Sequence, residues 1–441
     1  MDPKKTMKET IKPSSPTPSH LKTHNLSLLD QFSPHKYLPL LLFYPNNGYD
    51  SPRININEKS RRLKTSLSRA LTKYYPFAGR LSINGVSIDC NDEGVDFYEV
   101  HIDCELSKIL EKPDPETLDL FYPQGVPFSD SYNASLVVLQ VTFFECGGMA
   151  VATCFSHKIA DGATACSFIS DWAAVTACQS AENVVFPKFI SGIVSQPNEP
   201  PLGTEFQLQM GNSVTARRYV FSSSKIMELK AMVVDSGVPK PTRVEVVSTF
   251  IFKLVMSARR ANSGSSRPSL LVQYVNLRPG LSPPLPKNSA GNFSWVSSIM
   301  AKDESEKDLG ALVGAMKKGM AQFSDKYLKN LSPTECYSSI CDVLKEVKMV
   351  MNNNDIMDIF TCSSLCGYPF REMNFGWGAP TWVGFSSIKN NNSILLLDAK
   401  EGGVEAWITL EEKDMAALEC DEELLAFASL NVMKNSLHSR L

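Results

Sequence analysis

Long apolar runs, a surplus of either charge and an even set of cysteines are all missing from this chain of 441 residues. The most apolar early stretch, YLPLLLFYP from Tyr37 to Pro45, is far too short to span a membrane and is interrupted by Pro39. The basic segment MDPKKTMKETIKPSSPTPS has no apolar run that would form a signal peptide. These absences predict a soluble, cytoplasmic protein with no membrane partner. The 44 basic and 47 acidic side chains nearly cancel, leaving a formal charge of -3 and no long basic run. That excludes the usual nucleic-acid footprint, so an anionic ligand needs a local pocket. Eleven cysteines scattered from Cys90 to Cys420 are an odd number, which fits reduced thiols rather than a disulfide framework. Cys362 and Cys366 have no second pair nearby, and no metal site is expected. Histidine is also scarce: of six, only His157 lies in the central part of the chain.

What is present is enough apolar material, 43% of the residues, to fill more than one core. A chain of this length exceeds the size at which one core stops growing, so two domains are expected. Residues 1–180 form the first, 181–213 a crossover rich in Pro, Gly, Ser and Asn, and 214–441 the second. Leu63, Leu67, Ala70, Leu71 and Tyr74 recur at helical spacing and predict a helix that ends before Pro76. In ASLVVLQVTFFECGGMAVATCFSH, two β-prone runs flank Cys146-Gly147-Gly148, the pattern of a hairpin. Beyond His157 the period lengthens, and Ala163, Cys166, Phe168, Ile169, Trp172 and Ala173 line one side of a predicted helix. Ser-initiated SSKIMELKAMV and PTRVEVVSTFIFKLVMSARR read as helices, and LLVQYVNLRPG as a strand. Lys302 to Leu344 is largely helical by pattern. The segment SILLLDAKEGGVEAWITLEEKDMAALE repeats the strand, turn, strand, helix order of the first half, but ITLEEKD stands where the first half has its histidine.

A histidine delivered by a strand into a loop has a fixed backbone and a ring free to enter a cavity, and its near-neutral pKa suits proton removal from an alcohol or amine. A hydrogen-bonded histidine at a sheet edge fits the same pattern, and the residues alone leave both readings open. Asp161 reads as a helix cap or ion-pair partner that shapes the loop aiming His157, and Gly162 removes a side chain where a bulky ligand or the next helix approaches. Ser156 is unsuitable as a nucleophile, because its side chain points away from its neighbour on a strand. In NFGWGAP, Asn374 to Pro380, two glycines let the backbone turn tightly beside Trp377.

These stretches carry a resemblance. His157-Lys158-Ile159-Ala160-Asp161-Gly162 matches the HxxxDG motif of the plant BAHD acyltransferases, and NFGWG is similar to their DFGWG motif. IKPSSPTP at 11–18, LSLLDQ at 26–31, YYPFAGRL at 74–81, DCNDEGVDF at 89–97 and VNLRPG with PPLP and GN at 275–292 follow in the family's order. The chain is most similar to the branch of alkaloid O-acetyltransferases. The resemblance implies an α/β fold of two similar mixed-sheet domains, of chloramphenicol-acetyltransferase-like architecture, with a channel between them. It implies acyl-CoA and a small-molecule alcohol acceptor as partners, a monomer, and no tightly bound cofactor, with acetyl-CoA or another acyl-CoA as cosubstrate. Carried onto this chain, His157 is the general base and Asp161 its companion in the catalytic motif. Lys253, Arg278 and Trp377 are the candidates for contact with CoA, and the pocket near Trp377 is the candidate oxyanion site. Asn374 stands where the family has aspartate, and the resemblance implies that its partner is Arg278. Transfer to nitrogen, transfer of a larger acyl group, thioester hydrolysis and a catalytically weakened acyl-CoA-binding relative are the competing readings.

Overall fold

The computed structural model describes residues 5–46, 56–111, 113, 115–123, 133–178, 184–190, 214–264, 267–281, 284–286, 288–301, 308–323, 357–385 and 392–430. Two large mixed sheets carry the fold. In the first the strand order is Lys5–Ile11, Val95–Ile102, Val137–Phe144, Met149–Ser156, Tyr37–Tyr44, Trp382–Gly384. In the second it is Ser294–Ala301, Ser269–Asn276, Asp358–Ser364, Ser393–Asp398, Val404–Glu411, Val214–Phe221, Ser429–Leu430.

The predicted hairpin forms. Every residue of Val137–Phe144 and Met149–Ser156 is buried, which explains why both read as near-continuous apolar runs rather than as alternating strands. The helices Ile56–Lys73 and Gly162–Cys178 follow their predicted apolar faces, with Leu63, Leu67, Leu71, Phe168 and Trp172 fully buried in one core. Trp172 Nε1–H donates to the Leu63 carbonyl and to Ser66 Oγ, both at 3.1 Å. The β-branched helix Arg243–Ser263 is fixed at both ends. Thr242 and Glu245 form a capping box, and Gly264 closes it with a left-handed φ of 64°. Of the predicted 302–344 helical region, Leu309–Phe323 is helical and the rest lies outside the described residues.

Two features depart from what local pattern alone supplies. Tyr37–Tyr44 is an interior strand despite Pro39. Its outer neighbour Trp382–Gly384 pairs only with Leu41 to Phe43, so the missing N–H of Pro39 falls on an open edge of the ladder. The second departure is Trp382–Gly384 itself. It belongs to the C-terminal half of the chain yet completes the first sheet, where Trp382 stacks on Phe43 at 5.5 Å and on Trp407 at 6.1 Å. One short strand of the C-terminal half thus crosses into the first sheet. Most of the 181–213 crossover lies outside the described residues; within it, Lys188–Phe189 pairs in parallel with Ser289–Ala290.

Candidate active site

The antiparallel pairing of Met149–Ser156 with Tyr37–Tyr44 ends at Ser156 opposite Tyr37. One further ladder bond follows, from the His157 N–H to the Lys36 carbonyl at 2.8 Å. Five residues then separate the strand from the helix that starts at Gly162. Ser156 is completely buried, in keeping with its exclusion as a nucleophile. His157 is half-buried, and its ring turns toward the second half of the chain, where Nδ1 lies 3.0 Å from Asn292 Oδ1.

The tautomer of His157 follows from the partners of Asn292. Its amide nitrogen donates to the His157 carbonyl at 2.7 Å and to Asp30 Oδ1 at 2.8 Å. Both are pure acceptors, so the amide oxygen must face the ring, and the ring must present Nδ1 as an N–H donor. Nε2 therefore keeps its lone pair. Asp30 in turn accepts from the Asn292 N–H at 2.7 Å, and from the Ser27 N–H and hydroxyl. The helix Leu28–Phe32, closed by this Ser27–Asp30 capping box, is the base on which the imidazole is oriented. Neither Asn292 nor Asp30 is singled out by sequence reasoning. Both lie inside segments that carry the family resemblance, GN and LSLLDQ, but nothing in those segments indicates that they meet.

Asp161 caps the helix through the Thr164 N–H at 2.9 Å and is gripped bidentately by Arg278, Nη1 at 2.7 Å and Nη2 at 3.0 Å. The Phe293 N–H adds a further bond at 2.9 Å. Burial alone would raise this carboxyl, but the guanidinium and the N–H donors outweigh it and hold Asp161 below its ordinary range. Arg278 spends its remaining donors on the Ser289 and Gly291 carbonyls and on Thr164 Oγ1. Asp161 thus fixes the loop and joins the two halves; no bond from it to the imidazole is present, and the catalytic role expected from the motif reduces to positioning. At Gly162 the close approach comes not from the next helix but from the distant segment after Asp358–Ser364: a Cβ there would meet Leu365 Cδ2 at 2.9 Å.

Burial and then the neighbouring Lys36 ammonium lower His157 to about 4. Lys36, directly across the ladder and itself half-buried, is lowered to about 8 by burial. Tyr274 shows the same combination. Its phenol is raised by burial although 37% of its surface is open. A cavity of about 160 Å³, lined by Tyr368, Arg371, Val383, Asp398 and Glu405 among others, lies between the two sheets. Tyr368, which lines this cavity, would also lie 3.7 Å from a Cβ placed on Gly162.

The remaining sequence-derived candidates are not brought to the histidine. Asn374 Oδ1 accepts from the N–H groups of Gly376 and Gly378 at 2.8 and 3.0 Å. It closes its own loop, and the expected pairing with Arg278 is replaced by Arg278–Asp161. Trp377 stacks on Phe375 and packs under Lys59 and Arg62. Lys59 also donates to the Gly147 carbonyl, which places Trp377 at the hairpin end of the Met149–Ser156 strand. His157 leaves the other end, about 25 Å away at the rise of a strand. Trp377 is therefore no oxyanion donor for His157. Lys253 is ion-paired with Glu423 at 2.6 Å, and the guanidinium of Arg278 is buried and fully partnered, so neither offers a free cation to CoA. Among the described residues no cluster of His, Cys, Asp and Glu could hold a metal ion.

A family model described as the transferase family matches residues 4–425. Akuammiline synthase 1 of Alstonia scholaris is 42% identical over 426 residues, 96% of this chain and 97% of that protein. Stemmadenine O-acetyltransferase of Catharanthus roseus is 35% identical over 421 residues, covering 94% and 95%. Among solved structures, vinorine synthase superposes with a TM-score of 0.82 at 32% identity, covering 97% of this chain and 100% of that one. A match along nearly the whole length, with the HxxxDG turn set between two mixed sheets, makes this chain an acyltransferase of the BAHD family.

Proposed function

We propose that the protein transfers the acetyl group of acetyl-CoA to a hydroxyl of a plant alkaloid, with His157 as general base and both substrates bound at once. The observation that carries this reading is the unshared Nε2 of an imidazole whose Nδ1–H is committed to Asn292. Nε2 takes the hydroxyl proton as that oxygen forms a bond to the thioester carbonyl carbon; the C–S bond then breaks, and the proton passes from Nε2 to the departing CoA thiolate. The products are the ester and free CoA, and no acyl-enzyme is needed. An O-acetyltransferase among the relatives supports the acetyl donor and the hydroxyl acceptor. The resemblance to alkaloid O-acetyltransferases supports the acceptor class. Asp161 and Arg278 are assigned to holding the loop, and the space beside Tyr368 and Tyr274 to the passage in which the substrates meet.

We also assign the protein to the cytoplasm as a monomer. The described cysteines are all free, and no helix among the described residues is long and apolar enough to cross a membrane.

The test is incubation with acetyl-CoA and a panel of hydroxylated alkaloids, read by product mass. The expected product is acceptor plus one acetyl group, formed about 10²- to 10⁴-fold more slowly by His157→Ala at unchanged melting temperature. Free acetate and CoA alone would establish hydrolysis instead, and an undiminished His157→Ala rate would remove the base.

A further inference from the structure

Lys36 is a cation that the reaction just described does not use. The bond from the His157 N–H to the Lys36 carbonyl makes the two residues an opposed pair of the antiparallel ladder, and opposed residues project from the same face. The ammonium and the imidazole are close enough for the first to act electrostatically on the second. Among the described residues the ammonium has no ion pair. The carboxylates around the imidazole are already committed: Asp161 to Arg278, and Asp30 to Asn292 and Ser27.

This arrangement has a cost in the absence of an anion. The base becomes an imidazolium during transfer, and an uncompensated ammonium beside it opposes that charge. A carboxylate arriving with a substrate would reverse the penalty, because it would pair with Lys36 and cancel the field that depresses the base. Burial strengthens the argument, since a partly desolvated ammonium gains more from an anion than a hydrated one does.

We propose that the Lys36 ammonium is the recognition point for a carboxylate carried by one of the two substrates, next to the reacting bond. The inference rests on acyl transfer at His157 and deepens it by naming a substrate feature. The carboxylate belongs either to the acceptor, with acetyl-CoA as donor, or to the acyl group, in which case a dicarboxylic acyl-CoA replaces acetyl-CoA as the donor. Either source would silence the ammonium as it binds, so that the base is switched on by the substrate it is to act upon.

The experiment compares kcat/KM within two substrate pairs, using wild type, Lys36→Met and Lys36→Arg. One pair is malonyl-CoA against acetyl-CoA with the same neutral alkaloid alcohol. The other is the free acid against the methyl ester of a hydroxylated alkaloid, both with acetyl-CoA. In wild type the carboxylate member of one pair is preferred by about tenfold to a hundredfold, the range of a charge-assisted bond. Lys36→Met loses that preference and moves the acid limb of the rate upward, whereas Lys36→Arg keeps the preference. A response in the malonyl pair places the carboxylate on the acyl group, and a response in the acid–ester pair places it on the acceptor. The proposal is overturned if wild type prefers neither carboxylate, or if its preference survives Lys36→Met. His157→Ala separates the two failures. An inactive His157→Ala beside an unselective Lys36 leaves acyl transfer standing and removes only the carboxylate site.

Discussion

Two strand exits in this molecule share a plan and differ in one insertion. Met149–Ser156 leads to the helix Gly162–Cys178, and Val404–Glu411 leads to Glu412–Glu419. Each exit is held by an arginine from a distant segment. Arg278 grips Asp161 in the first, and Arg259 grips Glu411 at 3.0 Å and Asp414 at 2.6 Å in the second. In the second exit the helix begins on the residue after the strand; in the first, residues 157–161 intervene. An arginine clasp alone therefore serves structure. The five-residue loop is what allows an imidazole to leave the sheet and meet Asn292 from the other half of the chain.

The largest expected effect comes from opening the two clasps separately. The Arg278–Asp161 pair is almost fully enclosed, with side chains 6% and 5% exposed. Arg278→Met strands a buried carboxylate and should cost about 3–5 kcal/mol in urea unfolding. Arg259 is more open, at 19%, and Arg259→Met should cost about 1–3 kcal/mol. The comparison is sharpened by activity: the first variant should lose transfer along with stability, and the second should lose stability alone. Equal loss of transfer in the folded fractions of both would mean that the clasp at His157 has no special role.

The exits also titrate differently. Burial would raise Glu411, but Arg259 and Lys413 outweigh it and hold the carboxyl below its ordinary value, so it stays a fixed charge near neutrality. His157 is held at about 4 by burial and by Lys36. On the proposed mechanism the neutral ring is the active form, so activity should persist as pH falls through 6.5 and be half lost only near pH 4. An ordinary histidine would lose half its activity at about 6.5. Stability runs with the same sign. The folded value lies below the unfolded one, so the unfolded chain takes up the proton first, and this residue favours unfolding progressively as pH falls from 6.5 toward 4. Rates measured on enzyme shown to remain folded at each pH separate the two effects, and an acid limb near 6.5 would contradict the geometry around the ring.

Local pattern made much of the scaffold legible. The hairpin, the helix after His157 and the capped helix Arg243–Ser263 depend on periodicity and on residues three or four apart. The position of His157 at a strand exit was readable for the same reason. Its orienting partner was not, because Asn292 lies 135 residues away and Asp30 another 262 from Asn292. No spacing rule connects such groups. The short strand Trp382–Gly384 was lost for a related reason: its place in the first sheet is decided by packing against Phe43 and Trp407, not by its own three residues. Lys36 has no sequence signal either, since its significance comes only from standing across a ladder from His157.

Asn374 supplies the smallest effect and the clearest test of how the partner of Arg278 is chosen. A family-based pairing links it to residue 374, whereas the structure gives it Asp161 and leaves Asn374 exposed, bonded to the N–H groups of Gly376 and Gly378. Those glycines hold φ values of 101° and 107°, so the turn is set by backbone that only glycine adopts readily, and the side chain at 374 merely closes it. A carboxylate can accept the same two N–H bonds. Asn374→Asp should therefore change stability by no more than about 0.5 kcal/mol, the range of an exposed substitution. Pairing Asn374→Asp with Arg278→Lys in a double-mutant cycle makes the test independent of that small number. Sites without shared partners should add within about 0.3–0.5 kcal/mol. A coupling above about 1 kcal/mol would instead tie residue 374 to Arg278 and move the clasp from the histidine loop to the glycine turn.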